Sequence, residues 1–147
     1  MRANESTVTG NQNEAIGTKL YINGDKVLAK GHNTRVEGSN NIVLGNNTIV
    51  TGSNNNNTGN ENKINGEMNQ AAGDRNDIDG RANMVLGYDN KVEGDINKVY
   101  GDVNVIKNGS ENKIAGSNNS ILNGDKNVVK GNKNEILNGS DNLVCGN

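Results

Sequence analysis

The chain contains no phenylalanine, tryptophan or proline, and only three tyrosines in 147 residues. Large aromatic side chains dominate the area buried in bulky cores, so a thick globular interior is excluded. A single cysteine, Cys145, rules out an internal disulfide framework. A single histidine, His32, leaves neither a zinc ligand set nor a Cys–His pair. No apolar run approaches membrane-spanning length. Fifteen basic and 17 acidic residues, with no block of one sign, argue against a nucleic-acid surface and suggest no membrane partner. The first ten residues lack the apolar segment of a secretory signal. The chain is thus expected to be cytosolic, or extracellular if it is a mature or excised domain.

What is abundant is glycine and asparagine. Low hydrophobicity with that bias is the composition of disorder, yet disorder needs no period, and this sequence keeps one. Glycine recurs every seventh residue from Gly10 to Gly101, then at 109, 116, 124, 131, 139 and 146, with spacings alternating eight and seven. The unit is G-x-x-N-x-[VI]-x. Three lines of fifteen, 102–116, 117–131 and 132–146, align column by column: Asn104, Asn119 and Asn134 fall together, then Ile106, Ile121 and Ile136. A fixed period means one supersecondary unit stacked on itself.

Alternation along a strand places the β-branched residue inside and its neighbours outside. A short strand, a turn at glycine and a second strand close one coil in 14 or 15 residues. Glycine permits positive φ or close backbone approach at the corner. The asparagine three residues later carries an amide that can both donate and accept, so identical amides can bond along the stack. The sequence therefore predicts one all-β domain over 1–147: a single-chain β-solenoid, or β-roll, of about ten 14–15-residue coils. Two short parallel sheets would enclose a Val/Ile core with Asn ladders, in a rod about 48 Å long at ~4.8 Å per coil. Residues 1–38 are irregular and capping-like, with Ser6, Leu20, Val27 and Thr34 where Asn is expected; 102–146 forms the regular 15-residue coils. Asn57 enters a core position, so packing is expected to be weakest there. The extra residues at Asn108, Asn123 and Asn138 should widen one edge.

The same spacing excludes a G-x-G-x-x-G fingerprint, a P-loop and a G-x-S-x-G elbow. Asp74–Gly80 resembles a calcium loop only loosely, because Ile78 stands at a ligand position and Val85 where a bidentate glutamate belongs. No catalytic residue, cofactor or metal site is expected, and the chain reads as a non-enzyme.

The repeats at Gly38–Gly45 (GSNNIVLG), Gly45–Gly52 (GNNTIVTG) and Gly124–Gly131 (GDKNVVKG) resemble the x-x-N-x-V-x-G unit of ryegrass-type plant ice-binding, or ice-recrystallisation-inhibition, proteins. The mixed seven- and eight-residue spacing is similar too. The resemblance implies a left-handed β-roll that binds an ice surface through one flat strand face. It points to outward residues Thr7, Thr9, Ile49, Thr51 and Thr58 as the contacts. A weaker resemblance links the fourteen-residue period to the β-roll heads of trimeric autotransporter adhesins. It implies a structural or adhesive scaffold associating through a face or its ends. The apolar pairs Ile42/Leu44 and Met84/Leu86 would then mark a weak homo-oligomer contact, the alternative being a monomer.

Overall fold

The computed structural model describes residues 5–146, so residues 1–4 of the expected capping segment lie outside the described part. Those residues form strands joined by turns, with no helix. In chain order the strands are β1 (Thr7–Thr9), β2 (Glu14–Asn23), β3 (Leu28–Glu37), β4 (Ile42–Leu44), β5 (Ile49–Thr51), β6 (Asn56–Thr58), β7 (Lys63–Glu67), β8 (Gln70–Ala72) and β9 (Asp77–Arg81). There follow β10 (Met84–Leu86), β11 (Lys91–Glu93), β12 (Lys98–Tyr100), β13 (Val105–Lys107), β14 (Lys113–Ala115), β15 (Ser120–Leu122), β16 (Val128–Gly131), β17 (Glu135–Ile136) and β18 (Leu143–Gly146).

Every pairing is parallel and joins a residue to its equivalent one coil away. The offset is 14 residues early in the chain, as in Val36↔Val50, and 15 late, as in Ile114↔Val129. β2 and β3 each turn a corner and serve both faces. From β4 onward the strands alternate between faces, which gives ten coils. The first face runs from β1 through the ends of β2 and β3 to β5, β7, β9, β11, β13, β15 and β17. The second runs from the starts of β2 and β3 through β4, β6, β8, β10, β12, β14, β16 and β18.

The expected interior is present. Val36, Val43, Val50, Ile64, Ile78, Val85, Val92, Val99, Ile106, Ile114 and Ile121 are fully buried. Val8, at the equivalent position of the first unit, is 45% exposed; among the described residues its strand β1 pairs with β2 alone. Leu20 and Val27, which replace ladder asparagines, are buried as core residues, and the first coils keep the common register.

The asparagine ladders hold the coils together with complete valence. Asn76 donates its amide to Asn62 Oδ1 of the preceding coil (3.2 Å) and to the Gly87 carbonyl of the next (2.8 Å). Its Oδ1 accepts the backbone N–H of Asn90 at 3.1 Å and the Asn90 amide at 3.0 Å. Two donors and two acceptors are all that an amide owns, so Asn76 is fully satisfied while tying three coils, and Asn83, Asn90, Asn97 and Asn104 likewise donate to the coils on either side. No buried side-chain polar atom among the described residues lacks a partner.

Asn57 corrects the expectation of a weak spot. It is fully buried, and its amide donates to the Gly59 carbonyl at 3.2 Å. Its Oδ1 accepts from Asn62 Nδ2 at 2.9 Å. The reason lies one coil back. Thr48 occupies the ladder position before Asn62 and offers no amide oxygen, so the Asn62 amide turns inward and finds Asn57. The polar core residue and the ladder defect satisfy each other.

A second, outer ladder lies at the residue after each glycine. Asn60 N–H donates to Asp74 Oδ1 (2.7 Å), Tyr88 N–H to Asp102 Oδ1 (2.9 Å) and Ser117 N–H to Asn132 Oδ1 (2.8 Å). The next residue along always turns left-handed; Asn40, Asn54 and Asn118 do so at φ near +60°. Glycine itself is imposed by the stack: a Cβ on Gly87, at φ +139°, would lie 2.0 Å from the Gly101 carbonyl oxygen. The three insertions fall on one edge as expected, where Asn108 donates to Asn123 Oδ1 and Asn123 to Asn138 Oδ1.

Candidate functional site

A rigid roll offers three kinds of surface: two strand faces and the turn edges. On each face the outward residues form two columns. Neighbours along a column are one strand spacing apart, about 4.8 Å, and the columns are separated by two residues of strand, about 6.6 Å. That grid exists whatever side chains stand on it.

The first face carries Thr7, Thr9, Ile49 and Thr51, all exposed. They are not contiguous. Register runs Thr7↔Tyr21↔Arg35↔Ile49 and Thr9↔Asn23↔Glu37↔Thr51. Two coils therefore separate the two threonine-bearing rungs, which stand about 14 Å apart. Between them Arg35 lies over the Tyr21 ring at 5.0 Å and pairs with Glu37 at 2.5 Å. A shallow concavity along this edge is lined by Lys19, Tyr21, Asn33, Thr34, Arg35, Asn47 and Ile49. Beyond Thr51 the face becomes charged, with Lys63–Asp77 at 3.7 Å and Lys91–Glu93 at 3.0 Å. Donating to the Glu37 and Glu93 carboxylates raises Arg35 and Lys91 above their ordinary values, which fixes those charges.

Thr58, the fifth expected contact, lies on the second face. There β4, β6, β8 and β10 form four successive coils without a charged residue. One column reads Ile42↔Asn56↔Gln70↔Met84 and the other Leu44↔Thr58↔Ala72↔Leu86. Ile42 is 41% exposed; Leu44, Ala72, Met84 and Leu86 are half-buried by their neighbours. The result is a low relief of methyl groups, one hydroxyl and two amides over about 14 Å of rod. The two apolar pairs expected to mark an oligomer contact are thus the two ends of this uncharged stretch. Sequence reading missed the stretch because each face draws alternate heptads, so its continuity appears only when every second unit is set side by side.

No group of three or more metal-ligating side chains occurs among the described residues. Among them, no helix is long and apolar enough to cross a membrane. His32 and Cys145 are exposed; His32 bonds to Thr18 through Nδ1, and Cys145 is a free thiol.

A family model described as grass antifreeze beta roll matches residues 1–108 and 99–147. No curated protein matches the chain.

Proposed function

Since the chain belongs to the grass antifreeze beta-roll family, we propose that it is a non-enzymatic ice-binding protein that slows recrystallisation by adsorbing ice on a strand face. The observation that carries the choice of face is the four-coil uncharged stretch of the second face, Ile42–Leu44 to Met84–Leu86. Charged side chains hold their own water and mismatch a lattice; methyl groups on a fixed grid leave water free to order between them, and Thr58, Asn56 and Gln70 supply hydrogen bonds to it. The rigid ladders keep the grid in place, so little entropy is lost on adsorption.

The threonine rungs of the first face make a second reading. Ile49 and Thr51 form an uncharged rung, and Thr7 and Thr9 form another, with the Arg35–Glu37 pair between them.

The test is to grow ice slowly from a dilute solution and assay the protein that enters the crystal, together with the rate of coarsening. Wild type should enter ice. Thr58→Arg should abolish entry while Thr51→Arg leaves it intact. The reverse pattern would move the site to Thr7, Thr9, Ile49 and Thr51. Exclusion of the folded wild type from ice would leave a structural or adhesive roll, with Ile42, Leu44, Met84 and Leu86 as its association surface.

A further inference from the structure

Five asparagines stand directly before a glycine: Asn23, Asn65, Asn108, Asn123 and Asn138. The pair carries its own chemistry. The glycine nitrogen can attack the side-chain carbonyl of the asparagine before it, and with no Cβ on the glycine the ring closes with least hindrance. All five side chains are exposed, and all lie on the edge where the first face hands over to the second. What differs is how each glycine N–H is held.

In the ordinary rungs of this edge that N–H is engaged. Gly24, Gly38, Gly52 and Gly94 donate to the carbonyls of Thr9, Asn23, Glu37 and Asp79 at 2.8–3.0 Å. Gly66 lies inside β7 and pairs in register with Gly80, while the Asn65 amide donates to Asp79 Oδ1 at 2.9 Å. The insertions undo this arrangement. At Gly109 the bond to the Glu93 carbonyl stretches to 3.4 Å. One coil on, Asn123 itself takes the bond, donating to the Lys107 carbonyl at 2.9 Å, and the Gly124 N–H meets no acceptor among the described residues. The Gly139 N–H meets none among them either. The extra residue thus shifts the ladder by one place and frees the nitrogen that follows an exposed amide. The amides are graded too. Asn108 donates to Asn123 Oδ1 at 3.1 Å and Asn123 to Asn138 Oδ1 at 3.2 Å, whereas the Asn138 amide donates to no described group.

We propose that this edge is a self-modification site, at which Asn138 and Asn123 deamidate spontaneously while the fold protects Asn23 and Asn65. The Gly139 nitrogen gives its proton to water or hydroxide and its electron pair to Asn138 Cγ. A C–N bond forms, the Cγ–Nδ2 bond breaks, and Nδ2 leaves as ammonia with a proton taken from solvent. The succinimide adds one water at either ring carbonyl and opens to aspartate or isoaspartate. Nothing is oxidised or reduced, and water is the only co-reactant. Gly124 attacks Asn123 in the same way. The products set carboxylates one coil apart, about 4.8 Å, where amides had bonded to each other, and like charges facing across a ladder are unfavourable. The site lies in the coils beyond the uncharged stretch and does not depend on the ice-binding reading.

The test is storage of the folded full chain in warm, mildly alkaline buffer. Peptide mapping then follows the gain of one mass unit at each Asn–Gly, and an isoaspartyl methyltransferase labels the isoaspartate formed. Asn138 and Asn123 should convert about tenfold faster than Asn23 and Asn65, the factor that one hydrogen bond on the attacking nitrogen is worth. Asn108 should fall between. In denaturant all five should convert alike, because the dipeptide is the same and only the fold distinguishes them. Asn138→Gln should remove the label there, since a six-membered ring closes more slowly, and leave conversion at Asn123. The proposal is overturned if the folded chain converts all five at one rate, if Asn23 or Asn65 leads, or if Asn123 and Asn138 stay intact while the denatured chain reacts.

Discussion

At the residue scale, the inside–outside alternation has the largest consequences. Ile114 is fully buried and its neighbour Lys113 exposed. Ile114→Asp would bury a carboxylate with no partner and should lower unfolding free energy by about 4 kcal/mol or more. Lys113→Asp should change it by about 0.5 kcal/mol, since it only exchanges one solvated charge for another. Chemical denaturation of the two variants checks the assignment, and comparable losses would refute it. A subtler prediction concerns Val103, which is exposed and sits at φ +57°. Val103→Asn should stabilise the roll by about 1 kcal/mol by releasing a β-branched side chain from a left-handed turn. An unchanged denaturation midpoint would mean the turn carries no such strain. The inner column was readable from sequence because burial selects Val and Ile at a fixed place. The left-handed column was not, because it accepts Asn, Lys, Glu, Met and even Ile, so residue identity carries no signal there.

At the scale of the coil, the ladders are systems of bonds rather than independent contacts. Thr48, Asn57 and Asn62 form one such system. Thr48 Oγ1 donates to the carbonyls of Asn46 and Gly59 at 3.2 and 3.3 Å, leaving the Asn62 amide for Asn57. Asn57→Val alone strands an amide hydrogen of Asn62; Thr48→Asn alone draws that amide away and strands the Asn57 oxygen. Each single variant should cost about 1–3 kcal/mol. The double variant restores the common unit in both places and should be at least as stable as wild type. A double-mutant cycle measures the coupling, and additive effects would show that the two sites are independent.

The outer ladder belongs to the same scale. Glycine is followed mostly by Asn, Asp or Ser, a visible bias that the unit G-x-x-N-x-[VI]-x leaves out because exposed turns accept those residues anyway. Arg75 and Asp89, on neighbouring turns, pair at 2.6 Å. The hydrogen bond from Arg75 holds the Asp89 carboxyl below its ordinary value. A depressed carboxyl stabilises the fold above the unfolded value, about pH 3.9, and loses that contribution as pH falls through its folded value. Wild type and Asp89→Asn should therefore differ in thermal midpoint at neutral pH and converge in strong acid. The difference should also shrink in salt, since both groups are exposed. A gap that persists in acid would assign the effect to something other than this charge.

At the scale of the whole rod, the number of coils, the two faces and the position of the insertions were legible from period alone. The distribution of charge between faces was not. A net charge of −2 with mixed signs hides the fact that four coils of one face are uncharged and that Lys98 stands directly beside Lys113. Pairing of surface charges depends on which heptads become neighbours, and that is a property of the coil, not of the heptad.

A stack in which each coil touches only its neighbours should tolerate the removal of one whole turn. Deleting 59–72 joins Thr58 to Gly73 in register and brings Asn76 to the place of Asn62. Deleting 87–100 joins Leu86 to Gly101 in the same way. Both nine-coil rods should fold and melt at similar temperatures, because each loses one core layer on either face and one rung of each ladder. Their surfaces differ. The first deletion shortens the uncharged stretch of the second face by removing Gln70 and Ala72; the second leaves it whole and takes Lys98 away. Adsorption on a plane accumulates along a rigid grid, so the first rod should enter ice less than wild type and the second as well as wild type. If both deletions weaken ice entry alike while folding equally well, total rod length governs adsorption and the uncharged stretch has no special part in it.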